Sequence, residues 1–162
     1  MQESAHPGGV TVGIWITAAL TAAVVVLLDQ YTKALFFSKT ARTILIPNVL
    51  ETIHHENHGI VANIPLPIFV TVAITIIIMA AVAAGITSSA RTSDLLRVIA
   101  LAEIFGGALG NLIDRLTRGF VFDWILLFGQ SAINIADIAI VEGVIIYVGW
   151  RWAKKKRFVV RD

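Results

Sequence analysis

The chain is predicted to be an all-α membrane protein: four transmembrane helices with an interfacial extracytoplasmic cap that contains short extended segments. Three observations carry this. Of the 162 residues, 57% are hydrophobic and only 15% are charged, where an ordinary soluble domain is about half apolar and about a quarter charged. Four apolar stretches each approach the roughly 20 residues of helix that a hydrocarbon core requires. Two of the connecting segments are rich in aliphatic and aromatic side chains that suit the membrane interface. The whole chain, 1–162, is read as a single integral membrane domain with spans at about 10–28, 66–86, 95–113 and 135–152.

The first span follows a leader, "MQESAHPGG", that has neither Lys nor Arg, and it ends in "LLDQYTK" with no small-residue cleavage site. It is therefore read as a retained span rather than a removed signal peptide, with residues 1–9 disordered. A first outer segment, about Asp29–Pro65, includes "TILIPNVLETI", which is extended in character with a Pro-Asn break, and "HHENHGI", in which Asn57 and Gly59 read as a turn. The second and third spans flank a short loop carrying Arg91. A second outer segment, about Asp114–Asn134, holds "FVFDWILLF". Beyond the fourth span, six of the thirteen Lys and Arg residues lie between Arg151 and Arg161. Such a tail is expected to stay cytoplasmic, and an even number of spans then puts the N-terminus on the same side.

With this topology Asp29, Asp114, Asp123 and Asp137 all fall near the outer boundary, beside Asn111 and Asn134. Ionisable groups in a membrane domain are costly and usually mark function. Asp29 and Lys33 are four apart and share a helix face. Asn111, Asp114 and Arg115 fall at i, i+3 and i+4. Gly106, Gly107 and Gly110 precede them and are expected to set helix spacing. Asp123 and Asp137 are too far apart to be helix neighbours, yet a re-entrant outer segment could bring them face to face. Two carboxylates in a partly dry site share one proton near neutral pH. One can then take a proton from water while the other gives one to a scissile carbonyl. A cation site or a proton relay would use similar residues.

Other chemistries find less support. The absence of cysteine removes disulfides, thiol nucleophiles and cysteine-based metal sites. His54, His55 and His58 lack the zincin spacing, and no metal or cofactor is expected. Neither Ser38 nor Ser131 sits in the strained or Gly-flanked turn that would present a nucleophile to Lys33 or Lys39.

"DQYTK" (Asp29 to Lys33), "ENHG" (Glu56 to Gly59), "GGALGNLIDR" (Gly106 to Arg115), "VFDW" (Val121 to Trp124) and "NIADIAI" (Asn134 to Ile140) occur in that order over about Ile14 to Trp150. In order and spacing they resemble the lipoprotein signal peptidase (signal peptidase II) family. The resemblance implies a four-span aspartyl endopeptidase of the bacterial inner membrane that removes the signal peptide from prolipoproteins carrying a diacylglyceryl cysteine. It implies that Asp123 and Asp137 are the catalytic pair. Asp29, Lys33, Asn57, Gly59, Asn111, Arg115 and Asn134 then shape the site and hold substrate. Asp114 is structural, paired with Arg115 or a neighbour. The implied partners are the prolipoprotein and membrane lipid, with no nucleic acid, and the enzyme is a monomer. Two departures from the family stand out: the segment Ile60–Pro67, and Glu103 and Glu142 inside spans three and four. A small transporter or proton relay built on the same aspartates is the rival reading. A non-catalytic membrane scaffold is the third.

Overall fold

A computed structural model describes residues 7–59, 66–92 and 94–159. Four long helices, α1 (Pro7–Phe37), α2 (Ile68–Thr92), α3 (Leu95–Arg118) and α4 (Ile135–Val159), alternate with two pairs of strands. The strands are β1 (Thr43–Ile46) and β2 (Leu50–Asn57), then β3 (Val121–Leu127) and β4 (Ser131–Ile133). Three of the helices contain segments long and apolar enough to cross a membrane: Val12–Phe37, Ile68–Ser89 and Leu95–Arg118. The fourth is as long, but Asp137, Glu142 and Arg151 dilute its apolar run.

The helices outlast the apolar stretches that predict them. Helix α1 continues through Asp29 and Lys33 to Phe37, because its last turns bury their polar residues against α3 instead of ending in solvent. At its other end it starts at Pro7, so residues 7–9 are helical rather than disordered. Proline suits a first helical position, where its missing N–H has no intrahelical partner to lose. Helix α3 runs five residues past Ile113 to Arg118. It stops at Gly119, whose left-handed φ of 84° lets its N–H bond the Arg115 carbonyl at 3.2 Å.

Helix α3 is the spine. Slightly over half of its apolar window is buried (56%), against 17% for α1 and 11% for α2. It packs on α1, α2 and α4, while α2 and α4 scarcely touch each other. Small residues permit the close approaches. A Cβ on Gly106 would lie 2.9 Å from the Ala22 carbonyl oxygen of α1, and one on Gly107 would collide with the Ala136 carbonyl of α4. At the far end of the bundle Ile14, Ala18, Ile86, Val98, Leu101 and Ala102 form the apolar core.

The cap is a four-stranded antiparallel sheet in the order β1-β2-β3-β4, more regular than short extended pieces. Pro47 and Asn48 turn β1 into β2, with Asn48 at a φ of 60° and the Val49 N–H bonded to the Ile46 carbonyl at 3.0 Å. Phe128 and Gly129 are both at positive φ, 52° and 65°, and form the tight hairpin turn between β3 and β4. In the stretch "HHENHG" the predicted turn at Asn57 and Gly59 forms, with the Gly59 N–H on Asn57 Oδ1 at 2.9 Å, but the residues before it are strand. Strand β2 runs on to Asn57, pairing His55 with Asp123 and Asn57 with Val121 beyond a register irregularity between Thr52 and His55. The turn residues Asn57 and Gly59 act only at the strand's end, because pairing with β3 dominates the local preference.

Candidate active site

The C-terminal ends of α1 and α3 and the N-terminal end of α4 meet beneath the sheet, and two polar clusters form there. The first lies between α1 and α3. Lys33 is fully buried and bonds Asp29 Oδ2 at 2.8 Å and Asp114 Oδ2 at 2.9 Å. Asp114 also pairs with Arg118 and accepts the backbone N–H of Phe122 at 3.0 Å. Gln30 ties the group together, donating toward Asp29, the Gly110 carbonyl and Asp114 at 3.1–3.3 Å. A Cβ on Gly110 would sit 2.6 Å from Asp29 Oδ2, so glycine makes room for the carboxylate. Asp114, expected to pair with Arg115 or a neighbour, pairs with the neighbours Arg118 and Lys33. Arg118, one helical turn on, shares the face of Asp114, whereas Arg115 turns toward a cavity and donates to the Gly59 carbonyl at 3.1 Å.

The second cluster holds Asp123 and Asp137. Asp137 belongs to the opening turn of α4, where it forms a reciprocal cap with Asn134. The Asp137 N–H donates to Asn134 Oδ1 at 3.0 Å, and the Asn134 N–H donates to Asp137 Oδ2 at 3.2 Å. The spacing N-x-A-D is thus a helix N-terminus signal as well as a site. Asp123 comes from the middle of β3 and is fully buried. Asn134 Nδ2 donates to its Oδ1 at 2.6 Å, and Asn57 Nδ2 to its Oδ2 at 3.0 Å. Asn134 Nδ2 also reaches Asn111 Oδ1 at 3.1 Å, and Asn111 Nδ2 in turn donates to Asp137 Oδ1 at 2.8 Å. The two aspartates therefore hang from one asparagine pair.

The clusters touch at two points. Lys33 donates to Asn111 Oδ1 at 3.1 Å, and Asp29 Oδ1 accepts the Ala136 N–H of α4 at 3.0 Å. The start of α4, a favourable place for negative charge, thus serves both Asp29 and Asp137. Neither Asp123 nor Asp137 has a cation within ion-pairing distance among the described residues. Burial, reinforced by the nearby Asp137 charge, pushes the Asp123 carboxyl up to about 7. It can hold a proton near neutrality.

A cavity of about 410 Å³ opens onto Asp137. Asn57, Asn111 and Arg115 give it a polar head, and Ile78 of α2, Ile104 and Ala108 of α3, and Ile140 of α4 line its apolar length. Thr75 also faces it. Its opening lies between α2 and α4, where the lining residues Ile78 and Val141 are exposed. Asp123 does not line the cavity but lies behind Asn57 and Asn134.

Several contributors have no separate signal in the sequence. Gln30 and Arg118 sit inside the quoted motifs or beside them, and only the α1–α3 contact reveals their partners. Phe36 stacks flat on Trp124, with ring centres 4.0 Å apart, and fixes β3 to the end of α1. Thr75 and Ile78 reach the site from α2. Ser38 lies in an exposed turn, and Ser131 is exposed on β4. His54 packs on Phe37 and Phe122. No cluster of metal-ligating side chains occurs among the described residues. Glu103 keeps a buried carboxylate oxygen with no hydrogen-bond partner, and Glu142 is exposed. They make no hydrogen bond to each other among the described residues, and nothing in the structure explains the pair. Most of the divergent segment Ile60–Pro67, residues 60–65, lies outside the described residues.

The family described as Signal peptidase (SPase) II matches residues 21–152. The lipoprotein signal peptidase of Shouchella clausii is 36% identical over 136 residues, which cover 81% of this chain and 89% of that protein. The lipoprotein signal peptidase of Chlorobium phaeobacteroides is 34% identical over 149 residues, covering 81% and 92%. Two bacterial membrane enzymes solved by the in meso method, at 2.3 and 1.9 Å, are also similar. They superpose with TM-scores of 0.81 and 0.73 at 30% and 32% identity, over 87% and 82% of this chain and 90% of each of theirs.

Proposed function

The chain belongs to the signal peptidase II family, and we propose that it works as an aspartyl endopeptidase with Asp123 and Asp137 as the catalytic pair. As a family member it is a protease of the bacterial inner membrane that removes signal peptides from lipoproteins. The observation that carries the aspartyl assignment is the pair itself: two carboxyls held by Asn134 and Asn111 with no cation in contact among the described residues, Asp137 at the head of an apolar cavity and Asp123 just behind it.

Chemically, the pair shares one proton. Asp123, whose buried carboxyl is raised to about 7, holds it. Asp137, open to the cavity, is the base that takes a proton from the attacking water. Once the bound segment displaces the Asn57 amide that covers Asp123, the Asp123 proton goes to the scissile carbonyl oxygen, giving a neutral gem-diol. Its collapse breaks the C–N bond, and a proton returned through the pair leaves with the amine. Asn134 and Asn111 hold both carboxyls in register, and Lys33 fixes the Asn111 amide. Asn57, Gly59 and Arg115 line or frame the polar head, where a substrate carbonyl would bind.

The substrate is a prolipoprotein whose cysteine carries a diacylglyceryl group. Its hydrophobic signal segment fits the apolar length of the cavity, and the lateral opening between α2 and α4 admits it from the bilayer. We take α4 as a fourth span because it packs along α3. Both termini are then cytoplasmic, and the sheet lies at the outer face. The enzyme acts as a monomer. The whole reading is tested by incubating the purified chain with a diacylglyceryl-modified prolipoprotein in detergent and following release of the signal peptide. Cleavage at the modified cysteine is expected without an ion gradient. Activity that requires a sealed, energised vesicle would support a transporter and overturn the reading.

A further inference from the structure

The sheet has two edges, and they differ. Strand β1, at one edge, carries Thr43 to Ile46, all exposed, and none of them lines the cavity. Strand β4, at the other edge, pairs with β3 through Ser131, Ala132 and Ile133, and Ala132 and Ile133 line the cavity. Edge strands are normally blunted by charge, proline or a covering element, since their open N–H and C=O groups invite pairing. Strand β4 has no charge and no proline. Among the described residues, nothing bonds to Ser131, Ala132 or Ile133 outside the β3 ladder. One residue further on, Asn134 begins the cap that holds Asp137.

Resting on the peptidase reading above, we propose that the cleavage segment of the substrate binds as an added strand along the free edge of β4. A peptide bond is open to attack only when its backbone is extended, and an edge strand is a template for that conformation. A strand laid on β4 would sit about 4.8 Å from it, within the cavity and leading to Asp137. Strand β4 runs toward the start of α4, and a signal peptide runs outward from its hydrophobic segment, so the pairing is antiparallel. Backbone bonds would hold the segment whatever its side chains, which suits an enzyme with many substrates. The apolar lining below would select the helical part.

The chain contains no cysteine, which allows a direct test. Cleavage of a lipid-modified parent peptide by the unaltered chain is measured first, and it reports on the peptidase reading alone. Ester bonds then replace single amides in the four residues before the modified cysteine. Added-strand binding predicts that replacements at alternate residues raise KM about tenfold while the interleaved ones change it less than about twofold, since one backbone hydrogen bond is worth about that much. A uniform effect, or none, overturns the proposal even if the parent peptide is cut. In parallel, single cysteines are introduced as Ala132→Cys or Leu45→Cys in an Asp123→Asn background. Substrates carrying one extra cysteine before the cleavage site, with the lipidated thiol blocked, should form disulfides with Ala132→Cys and not with Leu45→Cys on β1. Trapping at Leu45→Cys alone, or at neither, refutes the β4 edge.

Discussion

Two polar clusters sit side by side at the sheet end of the bundle, and they treat charge in opposite ways. Between α1 and α3, each carboxylate meets a cation: Asp29 meets Lys33, and Asp114 meets both Lys33 and Arg118. Between α3, α4 and β3, the two carboxyls meet only amides among the described residues. A cation in contact would pin a carboxylate in its ionised form and take away its chemistry. Asparagine orients a carboxyl without doing so. Paired charge thus ties α1 to α3, and on the proposed mechanism the unpaired acids are kept for reaction. Lys33 serves both clusters, neutralising one and aligning the other through Asn111.

The largest expected effect breaks the second cluster. Asp123→Asn or Asp137→Asn should each lower kcat/KM by at least about a thousandfold, the scale of general acid–base catalysis. The variants should still fold in detergent, since the amide keeps the shape of the acid, with a loss of about 1–3 kcal/mol from the one N–H bond that the new NH2 group can no longer accept. A variant that folds and retains near-normal turnover would end the assignment.

Breaking the first cluster should reverse the pattern. Lys33→Met leaves Asp29 and Asp114 buried without their shared cation, which costs about 3–5 kcal/mol when one partner of a buried pair is removed. The measurement is unfolding of the purified variant, with yield of folded protein as a second readout. A Lys33→Met protein as stable as the parent would show that the paired cluster is not what holds α1 to α3.

A smaller effect follows from the proton on Asp123. Its folded value of about 7 lies above the ordinary 3.8, so folding favours the protonated form. That contribution to stability is complete at acid pH, below the ordinary value, and is lost as pH rises through about 7. Asp123→Asn should flatten this slope. The rate should follow the singly protonated pair, giving a bell-shaped kcat/KM with its upper limb near neutrality. A flat profile with chemistry rate-limiting would count against the shared proton. Finally, Ser38→Ala and strong chelation should each leave turnover within about twofold, since the proposed mechanism routes no step through an exposed turn serine or a metal.

The two clusters were not equally legible in the sequence. Asp29 and Lys33 lie four apart on one helix, so their pairing follows from α-helical geometry. That of Asp114 did not, because its partners come from α1 and from Arg118 rather than from adjacent Arg115. The N-x-A-D spacing pointed to Asn134 and Asp137 together. The bonds from Asn134 to Asp123 and Asn111 required β3, α3 and α4 to be placed first. The helices could be read because apolar length is written locally. The sheet could be read only as scattered extended pieces, since the continuation of β2 through His54–Asn57 depends on a strand more than sixty residues away, β3. Thr75 and Ile78 gave no signal, because an apolar helix does not reveal which of its faces borders a gap.

That gap has a kinetic consequence. Because α2 and α4 scarcely touch, the cavity opens between them, and on the proposed reading its ligand arrives along the plane of the bilayer. Enzyme and substrate then meet in two dimensions, and encounter depends on how many substrate molecules share each patch of lipid. Adding empty lipid or detergent at constant bulk concentrations should slow cleavage, and concentrating the same molecules in less lipid should restore it. Rates for this enzyme are therefore best expressed against mole fraction in the membrane phase.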